Sequence, residues 1–184
     1  MYPPGHVGLT ALLFAPFVYW FRLRGRRAAA VECLAVALAL AVLPDIDKVW
    51  PGLVHRGVTH TLLAAVVAGV LVALLFRAPA TGSPGLGGEH PAVCYLVGAV
   101  GVVSHLVGDV ITPMGIRPLF PASGAAYSLD LVQASSPTAN LLLVVAGVAA
   151  LLCGSRLPVG TPSTAAEADG TEESAPARPL SDQR

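Results

Sequence analysis

The residues here that could do chemistry are histidines, aspartates and one arginine in three short motifs. "LPDID" carries Asp45 and Asp47, "HRGVTH" carries His55, Arg56, Thr59 and His60, and "SHLVGDV" carries His105 and Asp109, with His6 standing alone near the start. In "HLVGD" the imidazole and the carboxylate are four residues apart, which puts both on one face of a helix. Mixed imidazole and carboxylate donors suit zinc, and also manganese or iron, whereas all-oxygen sets suit magnesium or calcium. Each motif alone has an ordinary explanation. His105 and Asp109 could form a hydrogen bond within a helix, "DID" could cap a short interfacial helix, "HRGVTH" could mark a polar membrane interface, and His6 could be a surface histidine. The surroundings give the set its weight. His105 and Asp109 are embedded in an apolar run, where an ionisable group costs several kcal/mol unless it is paired, hydrated or metal-bound.

The elements that must position these residues are apolar segments. The chain has 184 residues, 54% of them hydrophobic and 12% charged, with a mean hydropathy of +0.69. Soluble domains carry roughly twice that charge density, so the composition is that of an integral membrane protein. Net charge is zero and no basic stripe with interleaved aromatics occurs, so nucleic acid is not an expected partner. Cys33, Cys94 and Cys153 lie in separate apolar runs with no CxxC spacing, and they read as small buried hydrophobes.

Five runs stand out, at Val7–Phe21, Ala28–Leu43, Val58–Phe76, Ala92–Ile111 and Ala139–Cys153. A span needs roughly 20 residues, and several of these fall short. The expectation is therefore an all-α, polytopic bundle of about five transmembrane helices, with four to six as the range. Residues 1–156 form the membrane domain. Residues 157–184, rich in Pro, Ser, Thr, Ala and Glu, form a disordered tail. The loop "RAPATGSPGLGGEHP" reads as a flexible linker, with His90 as a solvated residue in it. The basic cluster "RLRGRR" follows the first apolar run, the wrong polarity for a cleaved signal, so that run is a permanent span. Arginines in the first loop place it in the cytoplasm, the N-terminus outside and the C-terminus inside. Alternating spans then carry His6, Asp45, Asp47, His55, Arg56, His60, His105 and Asp109 to one membrane face.

"LPDID", "HRGVTH" and "SHLVGDVITPMG", in that order between apolar spans, resemble the membrane-bound, predicted metal-dependent hydrolases of the YdjM type. The likeness runs from about Gly5 through Pro121. It implies an α-helical inner-membrane protein with metal-dependent hydrolase activity on a substrate not established. More distantly, the order His6, Asp45, His60, His105, Asp109 is similar to that of zinc-dependent phospholipase C and P1-type nucleases. By that analogy Asp109 bridges two metals, one held by Asp45, His60 and His105 and the other partly by His6. The second His-and-HxxxD half of those soluble enzymes is missing here.

The reading that follows is a multi-pass enzyme of the cell membrane that hydrolyses a lipid-borne or membrane-proximal ester, a phosphoester above all, at the outer face. A divalent metal, zinc first and manganese or iron as alternatives, would polarise the scissile group. Asp47 or His55 would be the general base and Arg56 a clamp for an anionic phosphate. The Pro- and Gly-rich stretch after Asp109 would line the entrance. A scaffold with a structural metal is one rival. An ion or metal transporter is another, but it should carry polar groups through both halves of the bilayer, and the cytoplasmic half is nearly all Ala, Val and Leu.

Overall fold

The computed structural model describes residues 1–77 and 84–157, and the expected disordered tail lies outside them but for its first residue. The described residues form five α-helices, α1 Pro3–Leu23, α2 Arg27–Leu40, α3 Leu62–Leu75, α4 Pro91–Val110 and α5 Pro137–Arg156, joined by loops and short 3-10 turns. Their starts follow local chemistry. Proline opens α1, α4 and α5, where its fixed φ suits the first turn and its missing N–H leaves no orphan donor. Thr61, His90 and Ser136 cap α3, α4 and α5, accepting from the backbone N–H of Ala64, Ala92 and Ala139 at 3.1, 3.2 and 3.3 Å. His90 is thus a helix cap.

Four segments are long and apolar enough to cross a membrane: Pro3–Leu23, Arg27–Lys48, Pro91–Val110 and Pro137–Arg156. The third expected span differs. Its apolar run begins at Val58, but Val58–His60 winds as a 3-10 turn and α3 has only 14 residues. At 1.5 Å per residue that is about 21 Å, short of a hydrocarbon core of about 30 Å. The missing turns have been diverted into building the polar cluster described below. The expected flexible linker also differs in its second half. Leu86 is fully buried, its N–H donates to a Glu32 carboxylate oxygen at 2.7 Å, and Glu89 pairs with Arg26 at 3.1 Å. One apolar anchor and two carboxylates hold this stretch against α2.

The helices approach closely through small residues. A Cβ on Gly8 of α1 would fall onto the α5 backbone at Leu143 and Val144, and one on Gly147 would meet the Gly8 carbonyl. Between α3 and α4, Gly98 sits 2.6 Å from the Ala68 carbonyl by the same measure. Where lipid removes the hydrophobic drive for association, such contacts are what packs transmembrane helices. The outer surface is apolar, with Leu63, Leu71, Leu75, Leu141 and Leu142 exposed. Among the described residues the interior is apolar around Phe14, Phe21, Cys33, Ala37 and Val97, and its histidines and aspartates gather at one end.

Candidate metal centre

That polar end gathers His6, Asp45, Asp47, His55, Arg56, His60, His105 and Asp109, every candidate drawn from the sequence. His6 comes from the first turns of α1 and His105 and Asp109 from the last turns of α4. The aspartates come from a 3-10 turn, Leu43–Lys48, that continues α2 and is opened by Pro44. The tight winding lets both aspartates serve one ring from opposite edges. Asp45 Oδ1 lies 3.5 Å from His60 Nε2, and Asp47 Oδ2 lies 3.1 Å from His60 Nδ1.

Hydrogen bonds fix which nitrogen carries the proton. His105 Nδ1 is 2.7 Å from the Ala41 carbonyl oxygen, which can only accept, so Nδ1–H donates and Nε2 presents its lone pair. Thr59 Oγ1 donates to Asp47 Oδ2 at 2.8 Å and therefore accepts from His60 Nδ1–H at 2.9 Å, which turns the His60 Nε2 lone pair inward as well. These two Nε2 atoms face each other at 3.0 Å. Asp109 Oδ2 stands 3.3 and 3.4 Å from them, and Asp45 Oδ1 stands 3.5 and 3.8 Å away. Both carboxylate oxygens are buried and lack a hydrogen-bond donor.

Four lone-pair atoms pointed at one small volume repel one another unless a cation sits among them. Metal–ligand bonds of about 2.0 Å in a tetrahedron put neighbouring ligand atoms roughly 3.3 Å apart, close to the spacings here. The donor set fits zinc, and each histidine has the outer acceptor that orients metal-bound imidazoles.

The other oxygen of Asp109 faces away from this quartet. Oδ1 accepts from the Met1 α-amino group at 2.5 Å and from Arg56 Nη2 at 2.9 Å, and His6 Nε2 lies 3.4 Å off. The His6 ring is fully buried, stacks on His105 at 3.9 Å, and has both nitrogens without a hydrogen-bond partner. Gly108 makes room for it, since a Cβ there would stand 2.7 Å from His6 Nδ1.

Asp47 is the organiser of the neighbouring turn. Besides holding His60, its Oδ1 accepts from His55 Nδ1–H at 2.8 Å and its Oδ2 from the Arg56 backbone N–H at 3.0 Å. The Arg56 backbone is left-handed, φ 59°, a conformation that costs a non-glycine residue roughly 1–2 kcal/mol. That bond helps to hold it there. His55 Nε2 has no hydrogen-bond partner among the described residues, and the side chain is 32% exposed at the edge of the cluster. Arg56 does not present an open fork to solvent. Its guanidinium is enclosed, donating to the Gly115 carbonyl, Thr112 Oγ1 and Asp109 Oδ1.

Some members were not visible in the sequence. Lys48 pairs with Asp45 Oδ2 at 2.8 Å, and its i,i+3 spacing was the available signal. The Ala41 carbonyl and the Met1 amine are main-chain groups with no side-chain signature at all.

An all-helical bundle with an apolar outer surface and a buried histidine–aspartate cluster at one end is a polytopic membrane protein with a candidate metal centre. The chain belongs to the YdjM inner membrane protein family, whose model matches residues 1–166. No curated protein and no solved structure matches it, so the likeness to zinc-dependent phospholipase C and P1-type nucleases rests on ligand order alone.

Proposed function

We propose that this protein is a membrane-embedded, metal-dependent hydrolase acting on a phosphoester or other lipid-borne ester at the outer face of the membrane. The observation that carries the reading is the pair of inward Nε2 lone pairs of His60 and His105, 3.0 Å apart and closed in by two carboxylate oxygens. Asp45, His60, His105 and Asp109 would hold the ion, and zinc is the first choice. Bound there, such an ion polarises an ester oxygen and acidifies water. The chain's own groups divide the remaining work. His55 Nε2, free and half-exposed, takes the proton from the attacking water. Asp47 keeps His55 in the tautomer that allows this. Arg56 and the Met1 amine neutralise and fix the outer oxygen of Asp109.

Against a structural metal alone stands His55, oriented by a buried carboxylate yet open on its catalytic side. A transporter needs a polar path inward. Among the described residues the buried polar groups continue only to the Thr10–Ser104 hydrogen bond, 2.6 Å, before Phe14 and Val97 close the core. The basic residues Arg22, Arg24, Arg26 and Arg27 lie at the opposite end of the bundle, and by the positive-inside rule this supports an outward-facing site.

The test is to purify the protein in detergent, measure bound metal, and screen chromogenic phosphodiesters and phospholipids with and without chelator. His55→Gln should keep its metal and lose hydrolysis by about 100-fold or more, the usual range for a general base. Chelator-insensitive turnover, or wild-type rates in His55→Gln, would overturn the mechanism.

A further inference from the structure

Two cavities meet at Arg117, a residue given no role so far. One, about 150 Å³, is lined by His55, Arg56, Met114, Ile116 and Arg117. The other, about 240 Å³, is lined by Leu53, Val54, Val58 and Phe120 together with Arg117. The first lies beside the candidate centre, since His55 in its wall has its ring centroid 5.3 Å from that of His60. The second is apolar.

The cations at this end are otherwise matched with anions. Lys48 pairs with Asp45, and Arg56 and the Met1 amine pair with Asp109. Arg117 has neither an ion pair nor a side-chain hydrogen bond among the described residues, and its one aromatic neighbour is the Phe120 ring at 5.8 Å. Its backbone is nevertheless fixed. Ile116 and Tyr127 exchange N–H···O bonds of 2.9 and 2.8 Å, and the Pro118 carbonyl accepts from Leu62 N–H, at the start of α3, at 2.9 Å. A free guanidinium on a pinned backbone, between a polar cavity and an apolar one, matches an amphiphile with an anionic head.

We infer that Arg117 is the specificity-determining residue for an amphiphilic phosphoester, its guanidinium receiving the phosphate beside His55 while the Leu53–Phe120 cavity takes the first carbons of the apolar chain. This rests on the hydrolase reading for its catalytic meaning, but the binding stands on geometry of its own. Arg supplies the planar fork that matches phosphate oxygens. Burial of a few methylene groups favours the alkyl phosphate over the free ion.

Binding is measured on the metal-loaded full chain in a maltoside detergent by isothermal titration, with dodecyl phosphate and inorganic phosphate as probes. Dodecyl phosphate should bind at least tenfold more tightly than inorganic phosphate. Arg117→Gln should weaken it by about tenfold, as loss of a charge-assisted pair implies, with metal content and melting temperature unchanged. Leu53→Asn, an uncharged change at a half-exposed wall of the apolar cavity, should weaken dodecyl phosphate and leave inorganic phosphate alone. Undiminished binding of dodecyl phosphate to Arg117→Gln, or equal binding of the two probes to the wild type, overturns the inference. If the binding results hold and no ester is cleaved, the hydrolase reading fails and the Arg117 site survives. If phospholipid hydrolysis occurs at equal KM in wild type and Arg117→Gln, the reverse is true.

Discussion

With its Nδ1 proton committed to the Ala41 carbonyl, His105 can meet a proton or a metal only at Nε2, and His60 is in the same position. Protons and metal therefore compete for one small volume. Burial alone would make His60 easier to deprotonate. The carboxylates of Asp109 and Asp45, and the charge of Asp47, outweigh it and hold the His60 imidazole above its ordinary range, with its 3-10 turn lying outside the long spans. A raised value means the proton competes from higher pH, so the apparent affinity for metal should begin to fall while the solution is still above about pH 6.5, the unperturbed imidazole value. Metal content of the purified protein, followed from about pH 8 downward, checks this. Asp47→Asn should weaken metal affinity by about 10–100-fold through lost orientation of the ring, and retention equal to wild type at all pH values would remove Asp47 from the centre. The side chains of the cluster were legible in the sequence because ionisable groups in and beside apolar runs are conspicuous. Arg56 was legible as a residue, but its enclosed position depends on Gly115 and Thr112, which no motif ties to it.

The helices show how much of the scaffold local chemistry decides. Apolar runs and their prolines located α1, α2, α4 and α5, whereas the start of α3 was hidden. Val58–Thr61 is one apolar residue followed by three polar ones, and the Thr59 hydrogen bond to Asp47, with that of Leu62 N–H to the Pro118 carbonyl just beyond, accompanies a 3-10 turn in place of an α-helical one. Packing is a second case. Nothing in the sequence distinguishes Gly8 and Gly147 from other glycines, yet they set the α1–α5 approach that carries His6 into place. Gly8→Val should force that pair apart at a cost of about 1–3 kcal/mol, the usual range for overpacking. A lowered melting temperature in detergent, accompanied by partial metal loss, is the expected outcome. Full metal retention with unchanged melting would show that α5 does not brace the site.

At the scale of the molecule the two ends differ in charge. The distal end carries Arg22, Arg24, Arg26, Arg27, Arg77 and Arg156, and Arg22 there donates to the α5 carbonyls of Gly154 and Ser155 at 3.0 and 2.8 Å. In a cysteine-free background, Ser123→Cys near the site and Arg24→Cys at the basic end should label from opposite sides of the membrane, Ser123→Cys from outside. Labelling of both from one side would refute the alternation of spans. That alternation is an expectation from the sequence, which needs only a count of apolar runs, and the labelling experiment is its test.

Return to the brevity of α3. A bilayer that meets a helix of about 21 Å beside neighbours of full length must dimple there, and deforming it costs a fraction of a kcal/mol for each Å of mismatch. Headgroups that ring the dimple sink toward the start of α3, at Thr61 and Leu62, one residue from His60. A lipid-borne ester would then arrive at the polar cluster without being lifted out of its leaflet. On the hydrolase reading, the shortness of one helix would make the membrane itself part of the entrance.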